Sequence, residues 1–141
     1  MRLKLISGSN PKMKTVSEEC VDLKRSIKVG KKMLLFLNAY PYGVGLSAVQ
    51  VGILKQIFVI RYKGLNEIVI NPEILRKSKS KMSAIEGCLS FPNQTRSINR
   101  PVNITAKYYN GKETVTKEFS GMLARIFQHE YDHLNGIVCI K

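Results

Sequence analysis

The feature that most constrains this chain is a pair of histidines four residues apart, with a glutamate directly after the first. The motif reads His129-Glu130-x-x-His133, and the 141-residue chain contains no other histidine. On an α-helix, residues i and i+4 project from the same face, so both imidazoles can bind one metal ion. Glu130 then lies beside the first ligand, where a carboxylate can accept and return a proton. The pattern is typical of metal-dependent hydrolases and predicts a helix here.

The predicted helix begins at Ser120 as N-cap and stops at Asn135-Gly136. On a helical wheel, the two histidines belong to its buried apolar stripe. Three polar residues are predicted to lie outside that stripe: Arg125, Gln128 and Asp132. A core histidine usually hydrogen-bonds to a neighbour, but burying two imidazoles without partners costs free energy. Metal binding is therefore the favoured interpretation of the pair.

The third metal ligand must come from elsewhere in the sequence. Eight residues follow His133, and none of them is Glu, Asp or His. We therefore expect the ligand from upstream, or from Cys139, whose return to the same ion past a helix stop would be strained. Cys88 is the better candidate, because it lies in the unusual segment EGCLS, whose glycine permits close backbone approach. A single cysteine is otherwise a small buried apolar residue, which is our interpretation of Cys20.

A thiolate with two imidazoles would leave a fourth coordination position open for water, as a catalytic site requires. A metal lowers the pKa of that water toward neutrality. Glu130 could accept its proton and deliver it to a leaving nitrogen. The developing oxyanion needs further donors, and the Gln50 amide is a candidate. The preceding Gly43-Val44-Gly45 segment lets the backbone pass close to a ligand, but it lacks the third glycine and the preceding strand of a nucleotide-binding loop.

The remaining patterns predict an α+β protein in one domain, residues 1–141. Apolar residues at helical spacing predict one long helix over about residues 17–38. Two β-rich runs around Gly64 predict a strand pair closed by Asn71-Pro72. Asn110-Gly111 between two further runs, 102–109 and 114–119, is a strong hairpin signal. Strands first and then a helix favour α+β over a parallel sheet.

Composition limits the classes of partner and location. The net charge is +13, densest at Arg76–Lys81. Such a charge favours polyanions such as the ribosome or other RNA, although a solvated basic surface explains it equally well. We expect no sequence-specific DNA binding, because no recognised motif accompanies the charge. Three cysteines are too few for a disulfide framework. With no apolar run of membrane-spanning length and no signal peptide, we expect a cytoplasmic monomer without membrane contact.

Three motifs stand in a characteristic order: GVGLSAVQ at 43–50, EGCLS at 86–90 and QHEYDH at 128–133. Their identity and spacing resemble peptide deformylase, from about Pro11 to Gly136. The resemblance implies small antiparallel β-sheets packed around a central helix that carries the histidine motif, plus a long N-terminal helix. It also implies an enzyme that hydrolyses the formyl group from the N-terminal formyl-methionine of nascent polypeptides, in the cytoplasm of a bacterium or of a bacterial host.

The resemblance assigns roles to residues of this sequence. It implies that Cys88, His129 and His133 bind one divalent metal and that Glu130 is the general acid/base. The Gln50 side chain and the Leu89 backbone N–H would hold the formyl oxygen. Family members use Fe²⁺ in vivo, and Zn²⁺, Ni²⁺ or Co²⁺ also fit this ligand set. The substrate would lie extended, like an added strand. Its expected contacts are Val44, Gly45, Glu86, Gly87, Met122, Arg125, Ile126 and His129, with Arg96 in a segment of unusual length.

Two departures from the family pattern matter. Ser47-Ala48-Val49-Gln50 stands where Ala-Ala-Pro-Gln is usual, which affects the rigidity of the loop rather than its chemistry. Many members also carry a C-terminal helix or tail after the metal helix, and some dock on ribosomes with it. Since this sequence ends at Lys141, ribosome docking is expected to depend on the basic surface around Arg76–Lys81.

Two alternative functions remain open from the sequence. The first is cleavage of internal peptide bonds, against which the Cys88 ligand and the lack of a downstream ligand speak. The second is a basic binding module with a structural metal. A structural site would close its fourth position with a protein ligand, for which Cys139 is the available candidate.

Overall fold

The computed structural model describes residues 2–140 and has α+β architecture, as predicted. A five-stranded antiparallel sheet has the order β1-β2-β3-β6-β7, and β4 and β5 form a separate antiparallel pair. No helix within residues 2–140 is long and apolar enough to cross a membrane. The strands are β1 Gly45–Ser47, β2 Ile57–Tyr62, β3 Leu65–Lys77, β4 Lys81–Cys88, β5 Phe91–Pro101, β6 Asn103–Tyr109 and β7 Thr114–Ser120; the helices are α1 Leu23–Phe36 and α2 Gly121–Leu134.

Helix α1 is shorter than the predicted 17–38. Its N-cap is Asp22, whose side chain accepts a hydrogen bond from the Arg25 N–H at 3.1 Å. The preceding residues are extended instead, because their backbone pairs with distant segments: Ser17 N–H donates to the Leu134 carbonyl, and Glu18 forms a β-bridge with Lys55. Local spacing predicted the apolar face of α1. It could not predict that long-range backbone hydrogen bonds hold the residues before Asp22 outside the helix.

Both predicted hairpins are present. The β6–β7 hairpin turns at Asn110–Gly111, and β2 pairs with β3 around Gly64. The β2–β3 pairing ends at Ile57 opposite Ile70, so Asn71-Pro72 closes this pair as predicted, although β3 itself continues to Lys77. Asn71 has a φ of 52°, and the register with β6 shifts between Ile70 and Glu73, so the chain bulges here and then continues as a strand. Proline has no N–H to donate to a ladder, which is why it sits at the irregularity.

The β4–β5 pair was not predicted. Both strands are largely exposed and β5 is mostly polar, so neither shows the regular apolar alternation by which strands are recognised. The pairing is interrupted at Pro92 near the turn and resumes at Thr95 opposite Gly87. This long hairpin carries EGCLS toward α2 and therefore builds one wall of the site.

The large sheet lies between the two helices. Alternate residues of β2 point to opposite faces: Ile57 and Val59 join the core cluster that includes α1, while Phe58 and Ile60 join the cluster that includes α2. Phe58 packs edge-to-face on Phe127 of α2, with ring centroids 4.9 Å apart. This packing fixes α2 against the sheet.

Helix α2 is buried on two faces, one against the five-stranded sheet and the other against the β4–β5 hairpin. Arg125 and Gln128 are buried, and Asp132 is partly buried, so their predicted place outside the buried stripe is wrong. The reason is the β4–β5 hairpin, which covers the face of α2 that a one-sided wheel assigns to solvent. Gln128 donates to the Pro101 carbonyl at 3.0 Å, at the end of that hairpin.

Candidate active site

Helix α2 and the end of β4 bring three metal-ligating side chains together. His129 Nε2 and His133 Nε2 lie 3.3 Å apart, and the Cys88 sulfur lies 3.5 Å from His133 Nε2. The two imidazole planes are nearly perpendicular, at 82°. All three donor atoms lie within 4.8 Å of one another. The structure thus brings together Cys88, His129 and His133, the three residues predicted from the sequence as candidate metal ligands.

The chemistry of this group fits a divalent metal. Burial lowers the pKa of His133 to about 3, so the ring stays neutral and keeps a lone pair. Its Nδ1 has no hydrogen-bond partner among the described residues, although the ring is 1% exposed. Two imidazoles and a thiol converging in a buried place are ligands that Fe²⁺, Zn²⁺, Ni²⁺ and Co²⁺ all accept.

His129 is oriented from behind by Glu86. Its Nδ1 lies 2.8 Å from Glu86 Oε1, so an Nδ1–H donated to the carboxylate leaves Nε2 facing the ligand group. Glu86 also accepts two hydrogen bonds from Arg100, at 2.6 and 2.9 Å, and one from Arg125 at 2.5 Å. Arg100 in turn donates to Asp132 at 2.9 Å. A buried carboxylate between two guanidinium groups thus holds the ring in place.

Cys139 approaches the same imidazole nitrogen as Glu86 does. Its sulfur lies 3.8 Å from His129 Nδ1 and 4.0 Å from Glu86 Oε1, so these three side chains form a second group of possible ligands. Arg100 Nη2 lies 3.8 Å from the same sulfur and is bonded to Glu86. A fixed positive charge already occupies this neighbourhood, which disfavours a second cation there.

Glu130 lies deep in the site beside β1. Burial raises the pKa of its carboxyl to about 7, which matches a group that exchanges protons at neutral pH. Its Oε1 has no hydrogen-bond partner among the described residues. Gly45 makes room for it: a Cβ at Gly45 would lie 2.8 Å from Glu130 Oε2.

The Gln50 amide is fixed in one orientation. Its Oε1 accepts hydrogen bonds from the Ser47 N–H and from the Ser47 hydroxyl, both at 3.0 Å. Its Nε2 therefore points the other way, 3.4 Å from the Cys88 sulfur and 3.3 Å from Ser90 Oγ. The serine that replaces the usual alanine supplies one of the two donors that set this orientation.

The comparisons with known proteins agree with this geometry. Residues 3–141 match the family described as polypeptide deformylase. The chain belongs to the peptide deformylase family.

Relatives in the family cover most of this chain. A peptide deformylase of Wolbachia pipientis subsp. Culex pipiens (strain wPip) is 36% identical over 99% of this chain and 86% of its own length. That of Thermotoga neapolitana is 44% identical over 84% of this chain and 70% of its own.

Solved structures of family members have the same fold. The crystal structure of the Thermotoga maritima peptide deformylase superposes with a TM-score of 0.93 at 36% identity, covering 98% of this chain and 95% of that one. A probable peptide deformylase from Synechococcus phage S-SSM7 superposes at 0.90 with 33% identity and 97% coverage of both chains. Membership in the family makes this chain a metal-dependent deformylase.

The ligand group opens into a cavity of about 660 Å³ between β1, the β4–β5 hairpin and α2. Most residues predicted to touch substrate in this family line that cavity, together with Gln50, Cys88, Leu89 and Glu130. They are Val44, Gly45, Glu86, Gly87, Met122, Arg125, Ile126 and His129. Met122 and Val44 are partly exposed at its rim, so apolar surface is available there.

Arg96 is placed differently from the other predicted substrate residues. Its Nη1 donates to the Cys139 carbonyl at 3.2 Å, and it is absent from the described residues that line the cavity. Sequence reasoning also missed several contributors: Tyr40, Tyr42, Tyr62 and Phe91 line the cavity, and Arg100 anchors Glu86. Phe91 and Arg100 reach the site through the pairing of β4 with β5, and Tyr62 lies on β2, which pairs with β1. Tyr40 and Tyr42 lie in the segment just before β1, and no local pattern marks any of these residues.

Proposed function

We propose that this chain removes the formyl group from the N-terminal formyl-methionine of nascent polypeptides, acting as one catalytic domain in the cytoplasm of a bacterium or of a bacterial host. The observation that carries the proposal is the convergence of Cys88 Sγ, His129 Nε2 and His133 Nε2, with Cys88, His129 and Glu130 lining one cavity. In this proposal the three converging residues hold one divalent metal, with Fe²⁺ as the native ion.

The bound metal would activate a water molecule and polarise the formyl oxygen. Glu130 accepts the proton that the water loses as it adds to the formyl carbon. It returns this proton to the amide nitrogen as the carbon–nitrogen bond breaks, so that formate and a free amino terminus are the products. A carboxyl with a pKa of about 7 suits both the accepting and the donating step.

Two donors would hold the formyl oxygen as negative charge develops on it. The Gln50 Nε2 is directed into the site by Ser47, and the Leu89 N–H lies in the turn between β4 and β5. Preorganised donors of this kind act mainly in the transition state. We assign both residues to this role.

The substrate peptide would lie extended between β1 and β4. In this arrangement Gly45 and Gly87 flank its backbone, and the methionine side chain packs on Val44, Met122 and Ile126. Arg96 stays outside this set of contacts. The exposed basic residues of Arg76–Lys81 are the proposed contact with the ribosome.

The deciding experiment measures formate release from formyl-Met-Ala-Ser by anaerobically purified protein, together with its metal content. Anaerobic handling protects a thiolate-bound ferrous ion. The proposal expects one metal per chain and formate as product, with no cleavage of an unblocked peptide of the same sequence. Internal cleavage of the unblocked peptide would instead support the peptidase alternative.

The structural-metal alternative has its own test. If the metal served only structure, Cys139 would be its fourth ligand, and Cys139→Ser would empty the site. Since the Cys139 sulfur faces His129 Nδ1, on the side away from Cys88, we expect Cys139→Ser to keep its metal.

A further inference from the structure

The N-terminal strap, residues 3–10, runs across the outside of the two loops that carry the proposed oxyanion donors. The Ile6 N–H donates to the Gln50 carbonyl at 2.8 Å, and the Gly8 N–H donates to the Ser90 carbonyl at 2.7 Å. Leu3 and Leu5 of the strap pack against the core cluster that includes α1. The strap is therefore anchored to the core and tied by its backbone to both loops.

The two loops come from distant parts of the chain. Gln50 lies in the short 3₁₀ helix Ala48–Val51 that follows β1, while Leu89 and Ser90 form the turn between β4 and β5. Their direct link is a side-chain hydrogen bond, from Gln50 Nε2 to Ser90 Oγ at 3.3 Å. Residues 6 and 8, the second at the start of a turn, join the backbones of the same two loops. This tie sets the separation of Gln50 from the Leu89 peptide independently of any side-chain rotamer.

A side chain at Gly8 would collide with the Phe91 ring. A Cβ at Gly8 would lie closer than 3.0 Å to three ring carbons of Phe91, and real Cβ atoms do not approach other atoms that closely. Gly8 is buried, and Phe91 lines the proposed substrate cavity. A methyl group here must either displace the ring into the cavity or lift the strap away from the Ser90 carbonyl.

We propose that Ile6 and Gly8 are positioning residues for the reaction. Their backbone N–H groups clamp the Gln50 loop to the Leu89–Ser90 turn, and Gly8 is the residue whose lack of a side chain allows this approach. The proposal rests on the proposed roles of Gln50 and Leu89 as oxyanion donors. Neither strap residue touches substrate, so the strap acts through the geometry of the donors.

The test compares Gly8→Ala with Ser9→Ala, a change at an exposed strap residue whose side chain, among residues 2–140, hydrogen-bonds to Ser7 alone. Displacing the donors should lower kcat for formyl-Met-Ala-Ser about tenfold, less than the ~100-fold or more expected for removing a donor outright. Metal content and KM should stay within twofold of wild type, and Ser9→Ala should match wild type. A Gly8→Ala enzyme with wild-type kcat overturns the proposal.

A second background isolates the contact with Phe91. Phe91→Ala makes room for a Cβ, so adding Gly8→Ala to it should leave kcat within twofold of the Phe91→Ala enzyme. The same tenfold loss in both backgrounds would overturn the steric part of the proposal. If Gly8→Ala alone folds poorly, the double variant, in which the Phe91 ring is absent, still allows the comparison of kcat with Phe91→Ala.

Hydrogen exchange gives a readout that does not depend on activity. In Gly8→Ala, the amides of residues 48–51 and 88–91 should exchange about tenfold faster than in wild type, while those of β6 and β7 stay unchanged. Unchanged exchange at both loops overturns the clamp. If wild type releases no formate but Gly8→Ala still speeds exchange at both loops, the clamp stands and the proposed function fails. If wild type releases formate but Gly8→Ala leaves exchange at both loops unchanged, the proposed function stands and the clamp fails.

Discussion

Glu86 Oε1 lies 2.8 Å from His129 Nδ1, and this contact joins the metal ligands to a buried ion network. Glu86 and Arg100 are each about 6–7% exposed, and Arg100 bonds the carboxylate through two nitrogens. The network joins β4, β5 and α2. The Glu86 carboxylate therefore both holds these elements together and orients the His129 ring. Breaking a buried pair leaves a charge uncompensated, which makes Glu86 sensitive to replacement.

Glu86 makes stability depend on pH in a defined direction. Burial raises the pKa of its carboxyl, but hydrogen bonds from His129 and Arg100 outweigh this and lower it to about 2, from 4.5. A depressed folded pKa contributes stability above pH 4.5 that is lost as pH falls toward 2. Glu86→Gln should cost roughly 3 kcal/mol of unfolding free energy at pH 7.

Urea denaturation of wild type and Glu86→Gln at pH 7 and at pH 2.5 checks this. The difference in unfolding free energy should shrink at pH 2.5, because most of the stability that the depressed pKa of Glu86 contributes is lost as the pH falls from 4.5 toward 2. Glu73→Gln, at an exposed position on β3, should cost within about 0.5 kcal/mol at pH 7. A Glu86→Gln deficit of equal size at both pH values would contradict the argument.

The sequence predicted the chemistry of the site better than its surroundings. His129, Glu130 and His133 are recognisable because one helical turn places them together, and Cys88 because of its glycine-containing segment. The partners of Glu86 could not be read in this way. Arg100 and Arg125 reach it only after β4 pairs with β5 and packs on α2, and no local pattern encodes that packing.

The errors in the predicted fold have a common cause. The helical wheel placed Arg125 and Gln128 toward solvent because it assumed one buried face, whereas the β4–β5 hairpin covers another. Helix α1 was extended back to Ser17 because apolar spacing continues there, while long-range backbone pairing holds that segment extended. In both cases tertiary contacts overrode a correct local signal.

Glu130→Gln should separate metal binding from turnover. The amide keeps the shape of the side chain but cannot accept and return a proton, so kcat should fall at least ~100-fold. Because Glu130 is not one of the three converging ligands, metal content should stay at wild-type level. Metal analysis and formate release on the same preparation check both points, and near-normal turnover would sink the proposed mechanism.

Gly45→Ala should displace the proposed base. Its Cβ would lie 2.8 Å from Glu130 Oε2, so the carboxylate must shift by a few tenths of an ångström or more. We expect kcat to fall roughly 10- to 100-fold with metal retained, since small misplacements of a reacting group are costly. The control is Gly64→Ala, which has a φ of 83° and open space around it. That change should lower thermal stability but leave kcat within twofold; an equal loss of kcat in both variants would refute the positional explanation.

Ribosome binding should depend on the segment Arg76–Lys81. Its four basic residues are exposed, and contacts between such residues and phosphates weaken steeply with salt. Reversing these charges to glutamate should reduce cosedimentation with ribosomes at low salt while kcat on formyl-Met-Ala-Ser stays unchanged. Reversing four basic residues of α1 (Lys24, Arg25, Lys28 and Lys31) controls for net charge. Equal binding by both variants would count against a specific role of the segment.

Ser47→Ala tests whether the hydroxyl sets the orientation of the Gln50 amide. The variant removes one of the two hydrogen bonds to Gln50 Oε1 and keeps the one from the Ser47 N–H. Losing a bond worth about 1 kcal/mol allows the amide to turn part of the time, so kcat should fall roughly fivefold, far less than in Gln50→Ala. KM and metal content should not change. Ser26→Ala, which removes a hydroxyl bonded to the Asp22 carbonyl in α1, should lower stability without changing kcat. If Ser47→Ala turns over as fast as wild type, the backbone N–H alone orients Gln50, and the usual alanine is equivalent to serine at this position.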